Sequence, residues 1–366
     1  MVDWKKLGDV CAVHTGCQLN RDDMIEDGLY PVVNGGKEFS GYTNSYNETS
    51  NTITISQGGE SAGFVNWLNT DFWAGAHCFV VEHNDSVNRR YLYHVLKNME
   101  RDIQQSKQGA GIPGLNRGTL YKQIIPVPSL SKQSQIVDIL DSFTTSIDNL
   151  KEQIILRSKQ YEHYRDQLLD LEGKEGVIVK TLGEIGEFIR GSGILKSDFR
   201  DEGKPCIHYG QIHTKYGLSA SKAISKIDES LYNRCKKATK GDVVLATTSE
   251  DAEGCAKPVA WLGEEKVAIS GDAYIYHHNQ NGKFMAHQFA SHRFMLFKIM
   301  NATGAKVVRI SGDSMAKYEI ALPSLQEQSR IVSILDTFEA SIANLEEQLK
   351  EREMQYEYYR NKLLTF

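Results

Sequence analysis

Residues 128–171 read PSLSKQSQIVDILDSFTTSIDNLKEQIILRSKQYEHYRDQLLDL, and residues 323–366 read PSLQEQSRIVSILDTFEASIANLEEQLKEREMQYEYYRNKLLTF. At a constant offset of 195 residues, 25 of the 44 positions are identical. The matches include residues of surface type, namely Gln133/Gln328, Asn149/Asn344 and Arg165/Arg360. Shared helix composition does not produce such matches; duplication does.

Each copy carries apolar residues at alternating spacings of four and three. The first copy gives Ile136, Leu140, Phe143, Ile147, Leu150 and Ile154, passes Arg157, and resumes at Tyr161, Tyr164, Leu168 and Leu171. The second gives Ile331, Leu335, Phe338, Ile342, Leu345 and Leu349, then Arg352, Tyr356, Tyr359, Leu363 and Phe366. This is a heptad seam, and it predicts two long helices packed on each other as a coiled coil. Pro128 and Pro323 precede them, and Ser324 with Glu327 forms a capping box. About 40 helical residues give a rod of ~60 Å. Arg157 and Arg352 in the seam either pack their stems and send their heads to water or mark a break in the seam where a partner subunit docks.

The segments in front of the helices also match, more faintly and in the same order. Residues 5–16 (KKLGDVCAVHTG) resemble 180–191 (KTLGEIGEFIRG), and 30–36 resemble 204–210. Thr52–Gln57 resembles Asp242–Thr247, and Val65-Asn66-Trp67-Leu68 resembles Val259-Ala260-Trp261-Leu262. The organisation read from this is a globular domain (1–127), a long helix (128–173), a second globular domain (174–321) and a second long helix (322–366). Strand patterns at 53–56, 78–82, 242–247 and 273–278, with helical patterns at 89–105 and 282–300, make each globular part mixed α/β. The fold class is α+β: two tandem α/β domains and an antiparallel helix pair, related by a pseudo-two-fold axis.

The whole chain of 366 residues carries a net charge of −5, distributed as −3, −3, +4 and −3 over those four segments. Charge alone neither requires nor forbids nucleic acid. No run of apolar residues is long enough to span a bilayer, no secretory leader is visible, and the six cysteines form no CxxC pair. A cytoplasmic protein with free thiols is expected.

Catalytic motifs are missing. There is no GxxxxGK[ST] loop and no NPPF- or DPPY-type tetrapeptide of an amino-methyltransferase. Gly109-Ala110-Gly111-Ile112-Pro113-Gly114 fits GxGxxG, but a polar run precedes it and Pro113 interrupts it, so a flexible loop presenting backbone to a phosphate or groove is a better reading than a cofactor site. Glu264-Glu265-Lys266 reads as a charged turn, and the histidines lack structural-zinc spacing. No catalytic, cofactor or metal residue is expected.

The tandem order, the VPSLSKQSQIVDILD and LPSLQEQSRIVSILD helix starts and the KKLGD and KTLGE openings resemble type I restriction-modification specificity subunits. The resemblance covers nearly the whole chain. It implies a non-catalytic subunit in which each globular domain, a target-recognition domain, reads one half of a bipartite double-stranded DNA site. It further implies that the helices set the spacing and dock two methyltransferase subunits. Those would carry S-adenosylmethionine for adenine methylation, while restriction/translocase subunits would use ATP and Mg. No membrane is implied. Two other readings keep parts of this: the separate specificity chain of a fused-type restriction enzyme, and a coiled-coil scaffold without a DNA role.

Base-edge and phosphate contacts are expected from loops at matching places in the two domains. The first loop offers Asn34, Gly36 and Lys37 against His208, Tyr209 and Gln211. The second offers Gln57 and Gly58 against Thr247, Thr248 and Ser249. The third offers Lys107, Gln108, Asn116 and Arg117 against Lys306, Arg309 and Ser311. The Arg234-Cys235-Lys236-Lys237 cluster with Lys240 could neutralise phosphates, or be an ordinary solvated surface.

Overall fold

The structure is a computed structural model, and it describes residues 2–107, 114–304 and 307–366. Contacts divide the chain into two units, residues 1–152 with 346–366, and residues 153–345. Each unit therefore takes in one globular part and a stretch of each long helix.

In the first unit, Thr52–Ser56 is a fully buried strand inside a four-stranded antiparallel sheet. The order is Cys11–Thr15, Cys78–His83, Thr52–Ser56, Val65–Leu68. A strand covered on both faces needs apolar residues at both alternations. Ile53, Ile55, Phe79 and Val81 pack with Tyr91, Leu92 and Val95 of the helix Arg89–Asn98 and with Ile136 and Leu140. Leu68, Cys78 and Val80 pack the other way, on Val33, Phe72 and Ala74. Val33 and Ala74 belong to a three-stranded sheet ordered Gly41–Thr43, Tyr30–Val33, Trp73–Ala74, whose last pair is parallel. A two-stranded ribbon, Asp3–Lys6 against Ile124–Val127, leads into the first long helix.

The second unit repeats this plan. Its main sheet runs Gly186–Arg190, Ala273–His278, Val243–Ala246, Lys257–Trp261, with Ser219–Ala220 added at the edge. Its second sheet includes Lys204–Ile207 parallel to Val267–Ile269, and its ribbon is Ile178–Thr181 against Glu319–Leu322. The predicted helical stretches are each broken once. The first splits into Arg89–Asn98 and Glu100–Gln105, and the second into Gly282–Ala290 and His292–Asn301. Ser291 makes the second break: it accepts the Phe294 N–H at 3.2 Å and donates to the Gln288 carbonyl at 2.7 Å.

Register supports one sequence match and corrects another. Val32 faces Trp73 and Cys206 faces Ala268, each in a parallel pair, so 30–36 and 204–210 are equivalent. The Trp67/Trp261 match is wrong by one residue. Trp67 faces Ile53, but the residue facing the equivalent Val243 is Ala260. A slip of one residue reverses the side-chain face. Trp67 accordingly lies on the helix side against Tyr93, at 5.6 Å between ring centres, while Trp261 is buried between the two sheets.

The long helices are Leu130–Leu169 and Leu325–Leu364. In the first unit Phe143 stacks on Tyr359 at 5.3 Å and Lys151 pairs with Glu353 at 3.7 Å. One number rises as the other falls, so the helices run antiparallel. In the second unit Tyr164 stacks on Phe338 at 5.4 Å and Tyr161 donates to Glu339 at 3.0 Å, with the same sense. Of the seam, Ile136, Leu140, Ile147, Leu150, Ile331 and Leu335 are buried. Phe143, Ile154, Phe338, Ile342, Leu345 and Leu349 are partly buried. The Arg352 guanidinium lies 5.7 Å from the Phe143 ring centre, a cation–π contact.

Gln133 and Gln328 are not surface residues: both are 0% exposed. Gln133 accepts the Asn88 N–H at 2.7 Å and donates to the Pro128 carbonyl at 2.8 Å. Gln328 does the same for Asn281 at 3.0 Å and Pro323 at 3.0 Å. Each clasps a long helix to the cap of the globular helix packed on it.

A second duplicated feature is a buried imidazole. His94 bonds Asp141 at 2.8 Å, beside Arg90, and its other nitrogen lies 3.3 Å from the Tyr356 hydroxyl. His287 lies 3.3 Å from the Tyr161 hydroxyl, with Lys283 pairing Asp336 and Glu339 nearby. Burial holds both imidazoles below their ordinary value of 6.5. For His287, with Lys283 and Arg165 adding repulsion, the value falls to about 3. The unfolded chain then binds more protons than the folded one below pH 6.5. The contribution is complete above pH 6.5 and is lost as pH falls from 6.5 toward 3. A His287→Gln chain should lose less stability than the parent between pH 6.5 and 4.5 in urea titrations. Parallel losses would refute this.

Candidate nucleic-acid interface

In the first unit, the strands Cys11–Thr15, Tyr30–Val33 and Thr52–Ser56 all end at one place, and the loops leaving them converge. Gly16 makes the convergence possible. Its N–H donates to the Cys78 carbonyl at 3.0 Å and the next N–H to the Ala74 carbonyl at 2.8 Å. A Cβ on Gly16 would lie 2.2 Å from the Ala74 oxygen. Asn34 accepts the His77 N–H at 3.0 Å through its side chain, and Ser56 donates to the Gly36 carbonyl at 3.4 Å. The Gln57 backbone is held on both sides, donating to the His77 carbonyl at 2.9 Å and accepting from Leu115 at 2.7 Å. Gly58 bridges Gly114. The Gln57 carboxamide makes no hydrogen bond to the described residues, so a rigid backbone presents a free donor–acceptor pair.

Arg117 reaches the same strand end. It donates to Thr15 Oγ1 at 3.0 Å and lies 5.8 Å from the Phe79 ring centre. Lys107 donates to the Glu60 carbonyl at 2.8 Å, on the turn that follows Gly58. Asn116 caps the short helix Arg117–Tyr121 by accepting the Gly118 N–H at 2.7 Å, so its role here is structural. Lys37 is exposed. Gln108 lies outside the described residues.

The second unit builds the equivalent end from different side chains. Gly191 matches Gly16: its N–H donates to the Ala273 carbonyl at 2.9 Å, and a Cβ would lie 2.2 Å from the Ser270 oxygen. His208 accepts the Gly210 N–H at 3.2 Å, and the His208 and Tyr209 rings lie 4.6 Å apart. Tyr209 is tied to the turn Ser270–Asp272 by its N–H, 2.8 Å from Ser270 Oγ. Thr247 reaches the same turn, donating from Oγ1 to the Asp272 carbonyl at 3.1 Å. Thr248 and Ser249 pair with Arg309 and Val308, and His213 bonds the Thr248 carbonyl at 2.9 Å. The loop after Ser249 is fixed from beneath by Lys298, 3% exposed, which donates to the Glu253 and Cys255 carbonyls, each at 2.8 Å.

Beside Asn116, three further sequence candidates are spent on local structure. The Gln211 amide accepts from the His208 N–H at 3.2 Å and donates to Ser225 at 2.7 Å. Ser311 caps the helix Gly312–Met315. In the 234–240 cluster, Cys235 is buried, Lys237 donates to the Cys235 carbonyl at 2.9 Å, and Lys240 pairs with Glu264. Lys306 lies outside the described residues. The sequence reading missed His77, Arg190, Lys196 and the Ser270–Asp272 turn. The signal available for Arg190 was its place directly before the matched glycine, Gly191.

Burial and Lys196 both keep the His208 imidazole below its ordinary value, with Asp272 opposing. Tyr209 and Gln57 supply donors and acceptors and Arg117 and Arg309 supply cations, while His208 and Thr247 are buried and bonded within the fold. Among the described residues no group of three His, Cys, Asp or Glu side chains could hold a metal ion, and no helix is long and apolar enough to cross a membrane. The chemistry present suits recognition of a polyanion with polar edges.

The profile of the type I restriction modification DNA specificity domain matches residues 1–157 and again 174–352. A protein described as a type I restriction enzyme specificity subunit of Haemophilus influenzae is 28% identical, over 100% of this chain and 96% of its own length. The specificity subunit of the Escherichia coli type I restriction enzyme EcoR124I/EcoR124II is 28% identical, over 100% and 94%. The crystal structure of the S subunit of a type I restriction-modification system from Mycoplasma genitalium shares the fold. Its TM-score is 0.62 at 17% identity, covering 100% of this chain and 96% of that one.

Proposed function

Because the chain belongs to the type I restriction-modification DNA specificity family, we propose that its two globular parts each read one half of a split duplex site. The observation that carries this is the repetition of one topology with unlike loop side chains. Asn34 and Gln57 stand in one unit where His208 and Thr247 stand in the other, on sheets that share their central strand order and differ in added edge strands. The shared scaffold fixes position, and unlike loop side chains read unlike bases.

The long helices set the distance between the half-sites, and modification subunits dock beside them. Exposed apolar residues at equivalent positions support that docking: Trp4 and Leu130 are 56% and 52% exposed, and Val179 and Leu325 are 51% and 56% exposed. Two methyltransferase subunits would bring S-adenosylmethionine for adenine methylation, and restriction subunits would bring ATP and Mg. This chain supplies no catalytic group, and the complex works in the cytoplasm.

Selection from a random duplex pool by the complex of this chain with its modification subunits tests the reading. Two short sequence blocks at a fixed gap are expected. One continuous block, or no enrichment, would reject it.

A further inference from the structure

Thr15 and Arg190 occupy the same rung of the two main sheets. Cys11 faces His83 and Thr15 faces Phe79; Gly186 faces His278 and Arg190 faces Tyr274. Phe79 and Tyr274 are themselves equivalent, because Ile53 faces Val81 and Val243 faces Tyr276. In the first unit the cation at this rung comes from elsewhere: Arg117 places its guanidinium on Thr15 and Phe79. At the repeat offset of 195, Arg117 corresponds to Gly312, which has no side chain. A Cβ there would meet Phe188 at 3.0 Å and Tyr274 at 3.2 Å. Each unit thus keeps one guanidinium at the same strand end, delivered by different elements. A sequence alignment of the two halves does not reveal this.

Around Arg190 the second unit opens a cavity of about 600 Å³, lined among others by Lys196, His208, Tyr209, Ser270 and Asp272. Arg190 is oriented, since its Nε donates to the Gly271 carbonyl at 3.0 Å. Its ion pair with Asp272 is long, 3.9 Å, and its side chain stays 66% exposed, so the guanidinium can still meet an anion from solvent. Lys196 is exposed and forms no ion pair among the described residues. Tyr209 offers a ring beside them, backed by the His208 ring.

We propose that this notch is a nucleotide subsite of the second reader. Arg190 and Lys196 hold one DNA backbone phosphate, and the Tyr209 ring lies against the adjoining sugar and base. The positions suit the chemistry. An oriented guanidinium and an exposed ammonium together bind a phosphate without reading sequence, and an aromatic face accepts any sugar–base unit. Asp272 on the rim repels a second phosphate and leaves the Lys196 side for the anion. The subsite rests on the DNA-reading function proposed above and adds its backbone contact.

The test uses the full chain assembled with its modification subunits and the duplex selected by that complex. Arg190→Ala with Lys196→Ala should weaken binding roughly 10-fold or more near physiological salt and lower the log–log salt slope by about one, the loss of one phosphate contact. Arg190→Lys with Lys196 intact should keep the slope, which separates charge from any folding defect. Tyr209→Ala should weaken binding without changing the slope. If the parent complex binds no duplex selectively, the DNA-reading function itself fails. If the parent binds and the double variant keeps both affinity and slope, the notch is not a phosphate site.

Discussion

Replacing Gln328 with leucine is expected to cost the chain about 3 kcal/mol of stability, and Gln133→Leu a similar amount. Leucine nearly fills the volume, so the loss comes from what it leaves behind. The Asn281 N–H and the Pro323 carbonyl each lose a partner at 3.0 Å, and the Gln280 side chain loses a third contact at 3.0 Å. The same change at Gln133 strips the Asn88 N–H and the Pro128 carbonyl. Each orphaned buried group costs ~1–3 kcal/mol. The loss propagates, because Asn88 and Asn281 cap the helices Arg89–Asn98 and Gly282–Ala290. Gln→Glu at either site is a sharper probe. It keeps an acceptor for the N–H but loses the donor and buries a charge, so it should cost at least as much. Urea unfolding of these variants beside the parent checks this; an unchanged midpoint for Gln328→Leu would show that the clasp is incidental.

Gly16→Ala and Gly191→Ala should each cost ~3 kcal/mol and should damage only the reader they belong to. The new methyl would lie 2.2 Å from a main-chain oxygen of Ala74 or Ser270, and backbone in a sheet cannot step aside as a long side chain can. The strand end must lift away from the second sheet. In the first unit that displaces Asn34 and His77; in the second it spreads the Arg190 notch. Thermal unfolding measures the cost, and binding to duplexes altered in one half-site at a time measures the selectivity. A stable Gly191→Ala chain with normal binding at both half-sites would show that the close approach is not required.

The duplication, the two long helices and their antiparallel seam were legible because a heptad repeat and a 195-residue offset are one-dimensional signals. The main-sheet strands were legible because their alternation is strong. The small second sheets were not, since strands of two to four residues with a parallel partner leave no pattern. The Trp67/Trp261 pairing failed for a related reason: a shared tryptophan outweighs a one-residue register shift in a string comparison, although the shift reverses the face. Gln133 and Gln328 passed for surface residues because burial of a glutamine depends on partners supplied by distant segments. The strand-end placement of Asn34, Gln57, Arg117, Tyr209 and Arg309 was legible from their loop positions; their contact with DNA is what we propose. Arg190 was missed because its counterpart is Arg117, reached across space and not along the alignment.

Two independent readers on one repeated scaffold should respond separately to mutation, and the decisive experiment maps the duplex sequences bound by the assembled complex carrying Gln57→Ala, beside the complex carrying Arg309→Ala. Gln57→Ala should relax discrimination in one sequence block by ~1–3 kcal/mol while the other block and the gap stay as in the parent. Arg309→Ala should weaken binding through the opposite block. Changes from either variant that spread over both blocks, or that alter the gap, would contradict two separate readers.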